Sequence, residues 1–175
     1  LLTLKPDLVI RFAGEQDPVT PGALRDRGVP QLAVRPDGID DVRTIIQQLG
    51  RVMGRGDEAR ALVTTLDQEL AEVRTNVADR DRVRVAYLLG GDPPWVAGPG
   101  TYVADLLDAA GADNVFADLK RLYAPVSLEE LITRDVDVFV VSRGTTVSPL
   151  LERRAPVREV SADIESPGLG LGASA

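Results

Sequence analysis

Residues 92–119, DPPWVAGPGTYVADLLDAAGADNVFADL, set the only tryptophan of a 175-residue chain and a glycine-proline turn directly ahead of a helix. The apolar run 83–89 before them reads as a buried strand, so the order is strand, glycine-rich loop, helix. In α/β proteins, ligands meet the chain where such loops leave the strand ends. The helix has clear punctuation. Thr101 can cap its first turn, Val103, Ala104, Leu106, Leu107 and Ala110 repeat at helical spacing, and Gly111 offers a left-handed exit. Gly98 and Gly100 would let backbone approach a ligand closely, the first-turn N–H groups would donate to its polar edge, and the Trp95 indole would stack on a flat face. A plainer alternative stays open, in which Gly98-Pro99-Gly100 is a tight connection and Trp95 a lid on the core.

No nucleotide signature is completed. Val103 stands where the dinucleotide motif needs its third glycine, and no Lys-Ser/Thr pair follows as a phosphate loop requires. The loop suits a flat, partly apolar ligand instead.

Composition sets the outer limits. The length and 44% hydrophobic content suffice for one ordinary domain or two small lobes, and a net charge of −7 without a basic, aromatic-interleaved stripe argues against nucleic acid. Basic residues are scattered and mostly matched by acids. No apolar run approaches the roughly 20 residues that span a bilayer. Cysteine and histidine are both absent, which removes disulfides, thiol nucleophiles, imidazole bases and Cys/His zinc sites from this chain. The acids do not form a calcium loop, so no metal site is expected.

Along the chain, 7–10 and 31–34 read as short buried strands, with Ala23-Leu24 in a short helix between them. A helix from about 39 to 52 follows, with Asp37 as a possible cap and Ile39, Val42, Ile45, Ile46, Leu49 and Met53 on its apolar side. Gly54-Arg55-Gly56 breaks it. Residues 57–78 form one long amphipathic pattern, a cover helix, a coiled-coil seam or a connector between two α/β blocks. In the second block, Ser127-Leu128-Glu129-Glu130 is a capping box opening a short helix through Ile132. Residues 137–141 are a strand, and 157–160 fit one more. This alternation argues for a mainly parallel sheet with helices on its faces. The opening Leu1-Leu2-Thr3-Leu4 reads like the end of a helix, and the tail 168–175 has no periodicity.

These residues carry a resemblance. Lys5-Pro6-Asp7-Leu8-Val9-Ile10 is similar to the "LKPDLVI" strand, and Ala97-Gly98-Pro99-Gly100-Thr101-Tyr102 to the second-lobe glycine loop, of the substrate-binding proteins of ABC importers for cobalamin, ferric siderophores and haem. Residues 110–118 resemble "AGG-NVFAD", and residues 126–131 resemble "VSLEEL" before a "DPDV" strand in which Val136 replaces the proline. The ordered set covers nearly the whole chain. It implies an α/β fold of two Rossmann-like lobes joined by one long rigid helix, with the first lobe incomplete. The corresponding division is 1–56 for a partial N-terminal lobe, 57–79 for the connecting helix and 80–175 for the C-terminal lobe.

The resemblance also implies a function. It is that of a monomeric extracytoplasmic receptor, periplasmic or membrane-anchored, that captures a small-molecule metal chelate between its lobes and delivers it to the transmembrane subunits of an ABC permease. No resident cofactor, catalysis or nucleic-acid partner is implied. Pro93-Pro94-Trp95 and residues 115–118 look most like the cobalamin-binding branch, where aromatic side chains line the cleft, and a ferric siderophore or haem is the alternative. Phe12, just past the first strand with Arg11 beside it, and Arg143, past another, fall at strand ends as a cleft requires. The expected ligand-binding set is therefore Arg11, Phe12, Trp95, Gly98, Thr101, Tyr102 and Arg143, with surface charge as the other reading of the two arginines. Tyr123 is expected to pack. Glu15 or Asp17 in the first lobe and Glu152 in the second are the candidates for permease contact.

Two other classes stay open. An enzyme on this scaffold would have to use Asp92, Ser127, Asp135 or Asp137, among which no catalytic pair is visible. A protein-binding module would leave Trp95 and Phe12 in a core or an interface.

Overall fold

The computed structural model describes residues 4–14 and 18–160. The opening tripeptide, the tail 161–175 and both first-lobe candidates for permease contact, Glu15 and Asp17, lie outside the described residues. The chain divides into two compact units, Leu1–Glu72 and Val73–Ala175.

In the first unit, β1 (Val9–Phe12), α1 (Thr20–Arg25) and β2 (Gln31–Val34) form a β-α-β crossover whose strands pair in parallel. The first strand sits two residues later than its apolar pattern predicts. Its ladder opens where Val9 N–H donates to Pro30 O at 3.0 Å, and Val9 stands opposite Gln31. Phe12 is thus the last residue of the strand rather than the first beyond it. Nor are the strands buried on both faces, since Ile10 is 50% and Phe12 57% exposed on one side of this two-stranded sheet.

Helix α2 (Ile39–Val52) has the expected bounds but a different cap. Gly38 is its N-cap and donates its N–H to the Asp41 carboxylate at 2.9 Å, whereas Asp37 pairs with Arg35 at 2.6 Å. A charged partner one turn in thus replaces the ordinary side-chain cap. Helix α3 (Gly56–Val77) is continuous over 22 residues and carries the chain from the first unit into the second. Arg43 of α2 reaches Asp67 of α3 at 2.6 Å, and that bond raises the arginine pKa.

The second unit is a six-stranded sheet. Its elements in order are β3 (Val83–Gly90), β4 (Trp95–Ala97), α4 (Tyr102–Ala109), β5 (Ala112–Asn114), β6 (Tyr123–Pro125), α5 (Leu128–Thr133), β7 (Val138–Ser142), α6 (Pro149–Arg154) and β8 (Val157–Val160). β3 is the central strand. Along one edge β5 pairs in parallel with its first half and β4 antiparallel with its end, and along the other β7 and then β8 continue in parallel. β6 extends the sheet beyond β4, antiparallel to it. The sheet is therefore mixed, and the expected strand–loop–helix is interrupted by a hairpin: the chain turns back at residues 91–94 and forms β4 before α4 begins. Short β4, β5, β6 and α6 escaped the sequence reading because three to six residues carry too little periodicity.

One face of this sheet is the core. Ala86, Leu88, Val96, Phe139 and Val141 pack there with Phe116, Val126, Leu131, Val136 and Leu151 from the turns and from α5 and α6. Phe116 and Phe139 are both fully buried, each worth about 1.5–3 kcal/mol relative to exposure. Phe116 lies in the 115–118 stretch that resembles the cobalamin-binding branch, and it is a core residue. Arg134 stacks over the Phe116 ring at 4.3 Å, donates to Val115 O at 2.5 Å and holds Asp118 at 2.8 and 3.1 Å. The turn is stapled over the buried Phe116, and the same arginine draws the Asp118 pKa down.

Arg84 fastens β3 to the start of β7. Its backbone N–H and its Nε donate to Asp137 Oδ2 at 2.9 and 3.0 Å, and its Nη2 donates to Oδ1 at 2.6 Å. These bonds hold the Asp137 carboxyl at about 2. A depressed carboxylate pKa contributes stability that is complete above the unfolded value of about 3.9 and is lost as pH falls through the folded one. Thermal melts of the wild type and Asp137→Asn should therefore differ most above about pH 4 and converge toward pH 2. A constant offset across that range would contradict the pairing.

Candidate functional site

The strand ends of the second unit gather the loop 91–94 after β3 and the loop 143–148 after β7. Trp95 opens β4 opposite Gly90 of β3 and Pro125 of β6. Strand alternation sends Val96 into the core, fully buried, and leaves Trp95 on the opposite face at 45% exposure. Tyr123 pairs with Ala97 and so shares that face with Trp95, one diagonal step away at about 7–8 Å along the ladder. It is half-buried. The structure thus sets a second aromatic beside Trp95, where the sequence reading had only a packing residue. The available signal was the period of two in Leu122-Tyr123-Ala124-Pro125-Val126, with a proline that an edge strand tolerates.

The two glycine-loop residues are placed differently from expectation. Gly98 is buried and its N–H donates to Leu122 O at 2.7 Å, while a Cβ added there would lie 2.3 Å from Arg121 O. The close approach that this glycine permits is to its own chain. Thr101 is fully buried, its hydroxyl donating to Gly98 O at 2.8 Å and accepting from Ala104 N–H at 3.1 Å. As predicted it caps α4, and with both bonds internal it presents nothing to a ligand. Tyr102, the first residue of α4, is 39% exposed, and Gly111 ends that helix with φ +70°. Asn114 braces the arrangement, donating to Ala97 O at 2.9 Å and accepting from Phe116 N–H at 3.0 Å.

Arg143 follows β7, exposed, with its N–H on Val160 O at 3.0 Å. Glu152 is exposed on α6, and Glu129 is exposed on the first turn of α5, whereas Glu130 is held by Arg134 at 2.9 Å. In the first unit, Arg11 and Phe12 point to opposite faces of β1. Arg11 donates to Gln31 Oε1 at 2.8 Å, and Gln31 in turn donates to Pro21 O at 2.9 Å, so the arginine closes a network inside its own unit.

Between the two loops lies a pocket of about 450 Å³ floored by Leu88, Leu128 and Leu151, with Asp92, Thr145 and Thr146 among its polar lining. Gly91, φ +96°, lies between this pocket and the tryptophan, since a Cβ there would stand 3.1 Å from the indole Cδ1. A flat ring and an adjoining apolar hollow with a polar rim are the elements of a small-molecule site. Among the described residues, no cluster of three or more His, Cys, Asp or Glu could hold a metal, and no helix is long and apolar enough to cross a membrane. Three of the candidate catalytic groups have structural duties: Ser127 accepts from Glu130 N–H at 3.0 Å, Asp137 is tied to Arg84, and Asp135 pairs with the same arginine.

Comparison with known proteins decides the family. The family model described as "Periplasmic binding protein" matches residues 1–157. The chain belongs to the periplasmic binding protein family. A vitamin B12-binding protein of Salmonella typhi is 26% identical over 142 residues, which are 81% of this chain and 53% of that protein. The crystal structure of the periplasmic vitamin B12-binding protein of Vibrio cholerae superposes with a TM-score of 0.70 at 23% identity, over 89% of this chain and 66% of that one. A periplasmic haem-binding protein of Roseiflexus sp. RS-1 superposes with a TM-score of 0.72 at 26% identity, over 89% and 68%. The chain spans about half the length of the curated relatives it matches.

If Gly98 serves close packing, Gly98→Ala should destabilise the protein by about 1–3 kcal/mol in a denaturant titration. Gly22→Ala, where nothing stands within 4 Å of the new methyl group, should not. Equal effects would sink the packing argument.

Proposed function

We propose that this protein is the extracytoplasmic substrate-binding component of an ABC importer, and that it captures cobalamin or a related metal chelate for delivery to the permease. The observation that carries the reading is the exposed Trp95, fixed on β4 beside Tyr123 at the strand ends of a periplasmic binding protein fold. A macrocycle stacks on an indole and buries apolar area against it. The similarity to vitamin B12-binding proteins favours a corrinoid, and the similarity to a haem-binding protein keeps haem as the second reading. This chain offers no histidine or cysteine to a metal centre, which favours a chelate that arrives with its coordination satisfied.

Trp95 is the only tryptophan of these 175 residues, and comparison with a Trp95→Phe variant isolates its emission from that of the rest of the full-length protein. Titrating the full-length protein with cyanocobalamin, a ferric siderophore and haemin should quench that emission with at least one ligand. Trp95→Ala should weaken binding of that ligand by about tenfold, the worth of one aromatic contact of roughly 1–1.5 kcal/mol. Binding that is unaltered in the variant would remove Trp95 from the site, and the absence of quenching or of a melting shift with all three would end the receptor reading.

Delivery needs a surface for the permease, and Glu152 on α6 is the proposed contact in the second unit. Glu152→Lys should lower uptake in cells and leave ligand affinity unchanged, as measured by titration. Equal loss of both would exclude it. Glu129→Lys, a reversal at the other exposed acid on α5, shows whether the contact lies there instead.

A further inference from the structure

The pocket beside Trp95 has one charged lining residue among those described, and it is negative. Asp92 is exposed and has no ion pair or hydrogen-bond partner among the described residues. Across the pocket stand Thr145 and Thr146, whose hydroxyls likewise have no partner there, while Ser148 uses its own to accept from Leu150 N–H. Below them Leu88 and Leu151 are almost fully buried. Gly90 and Gly91, both at positive φ, add no side chains to the hairpin side of the pocket, which leaves Asp92 and Pro94 to line it. Its volume of about 450 Å³ accommodates a side arm or a small substituent, not a whole macrocycle.

We propose that this pocket takes a peripheral arm of the bound chelate and selects arms ending in a neutral amide or hydroxyl over arms ending in a carboxylate. The inference rests on the reading that a chelate stacks on Trp95. A primary amide has two N–H donors for the Asp92 carboxylate and a carbonyl that accepts from a threonine hydroxyl, while its methylene stem lies on the leucine floor. A carboxylate has no donor to offer, and it would bring a second negative charge to Asp92 over an apolar surface that screens it less than water does. Repulsion of the wrong arm is thus built into the pocket along with attraction of the right one. By this rule an amide-fringed corrinoid is favoured, and a macrocycle fringed by propionates is disfavoured.

The test compares cyanocobalamin with its singly hydrolysed derivatives, in which one peripheral amide has become a carboxylate, by isothermal titration of the full-length protein. The wild type should bind cyanocobalamin at least about tenfold more tightly than one or more of these isomers. Asp92→Asn should narrow that ratio to within about threefold, because the asparagine side chain no longer repels the acid. Glu159→Gln, which removes an exposed charge on β8 outside the pocket, should leave the ratio as it is in the wild type. An unchanged ratio in Asp92→Asn, or no preference in a wild type that does bind cyanocobalamin, overturns the assignment of Asp92 and leaves the receptor reading standing. Failure of every corrinoid to bind overturns this proposal, and the receptor reading falls with it only if the ferric siderophore and haemin fail as well.

Discussion

The second unit depends on a backbone approach that only glycine allows. Gly98 lies so close to residues 121–122 that its N–H reaches Leu122 O at 2.7 Å and any Cβ would overlap Arg121 O. That contact brings β6 alongside β4, and the resulting ladder fixes which side of β4 faces the core. Val96 goes in and Trp95 stays out. Thr101 completes the knot, since one hydroxyl closes the Gly98 carbonyl and caps α4. The glycine loop is therefore part of the scaffold that aims the tryptophan. Within it, Gly98 and Thr101 make their hydrogen bonds inside the chain.

Arginines do comparable work elsewhere. Arg134 pins the 115–118 turn over Phe116, Arg84 fastens β3 to β7 through Asp137, and Arg82 joins Asp113, Asp108 and the carbonyl of Ala112 where β3 begins. Each planar guanidinium reaches two or more acceptors at once, which a lysine could not do in the same geometry. Such pairs are partly exposed and individually modest. Their value is positional, because they fix turns that have few apolar contacts of their own.

Much of this was legible in the sequence wherever an element was long or capped. The bounds of α2, the caps of α4 at Thr101 and of α5 at Ser127, and the strands β3 and β7 follow from periodicity and cap chemistry to within a residue or two, although the box expected at Ser127 is only half made, because the Glu130 carboxylate turns to Arg134. The single α3 was visible too, from its apolar spacing. The misses share a physical cause: β4, β5 and β6 are three residues each, specified by partners far along the chain and not by their own pattern. The packing of Gly98 against residues 121–122 is hidden for the same reason. A glycine that admits a ligand and a glycine that admits a neighbouring strand look alike until the neighbour is placed. Phe116 and Trp95 could not be sorted into core and surface either, since both are isolated aromatics after a turn. The pocket at Asp92 has no signature in the sequence, because its two walls, at Asp92 and at Thr145, are far apart in the chain and meet only through the pairing of β3 with β7.

The central claim is that ligand meets the face of β4 and β6 and the loops beside it, and not the start of α4, where Gly98 and Thr101 are buried. Hydrogen exchange of the full-length protein with and without cyanocobalamin addresses this directly, peptide by peptide. The account predicts slower exchange on ligand addition at 90–95, 123–126 and 145–148, with no change at 101–104, where Thr101 is buried and its hydroxyl holds the Ala104 N–H. Protection concentrated at 98–104, with 90–95 unaltered, would contradict it and return the site to the helix start.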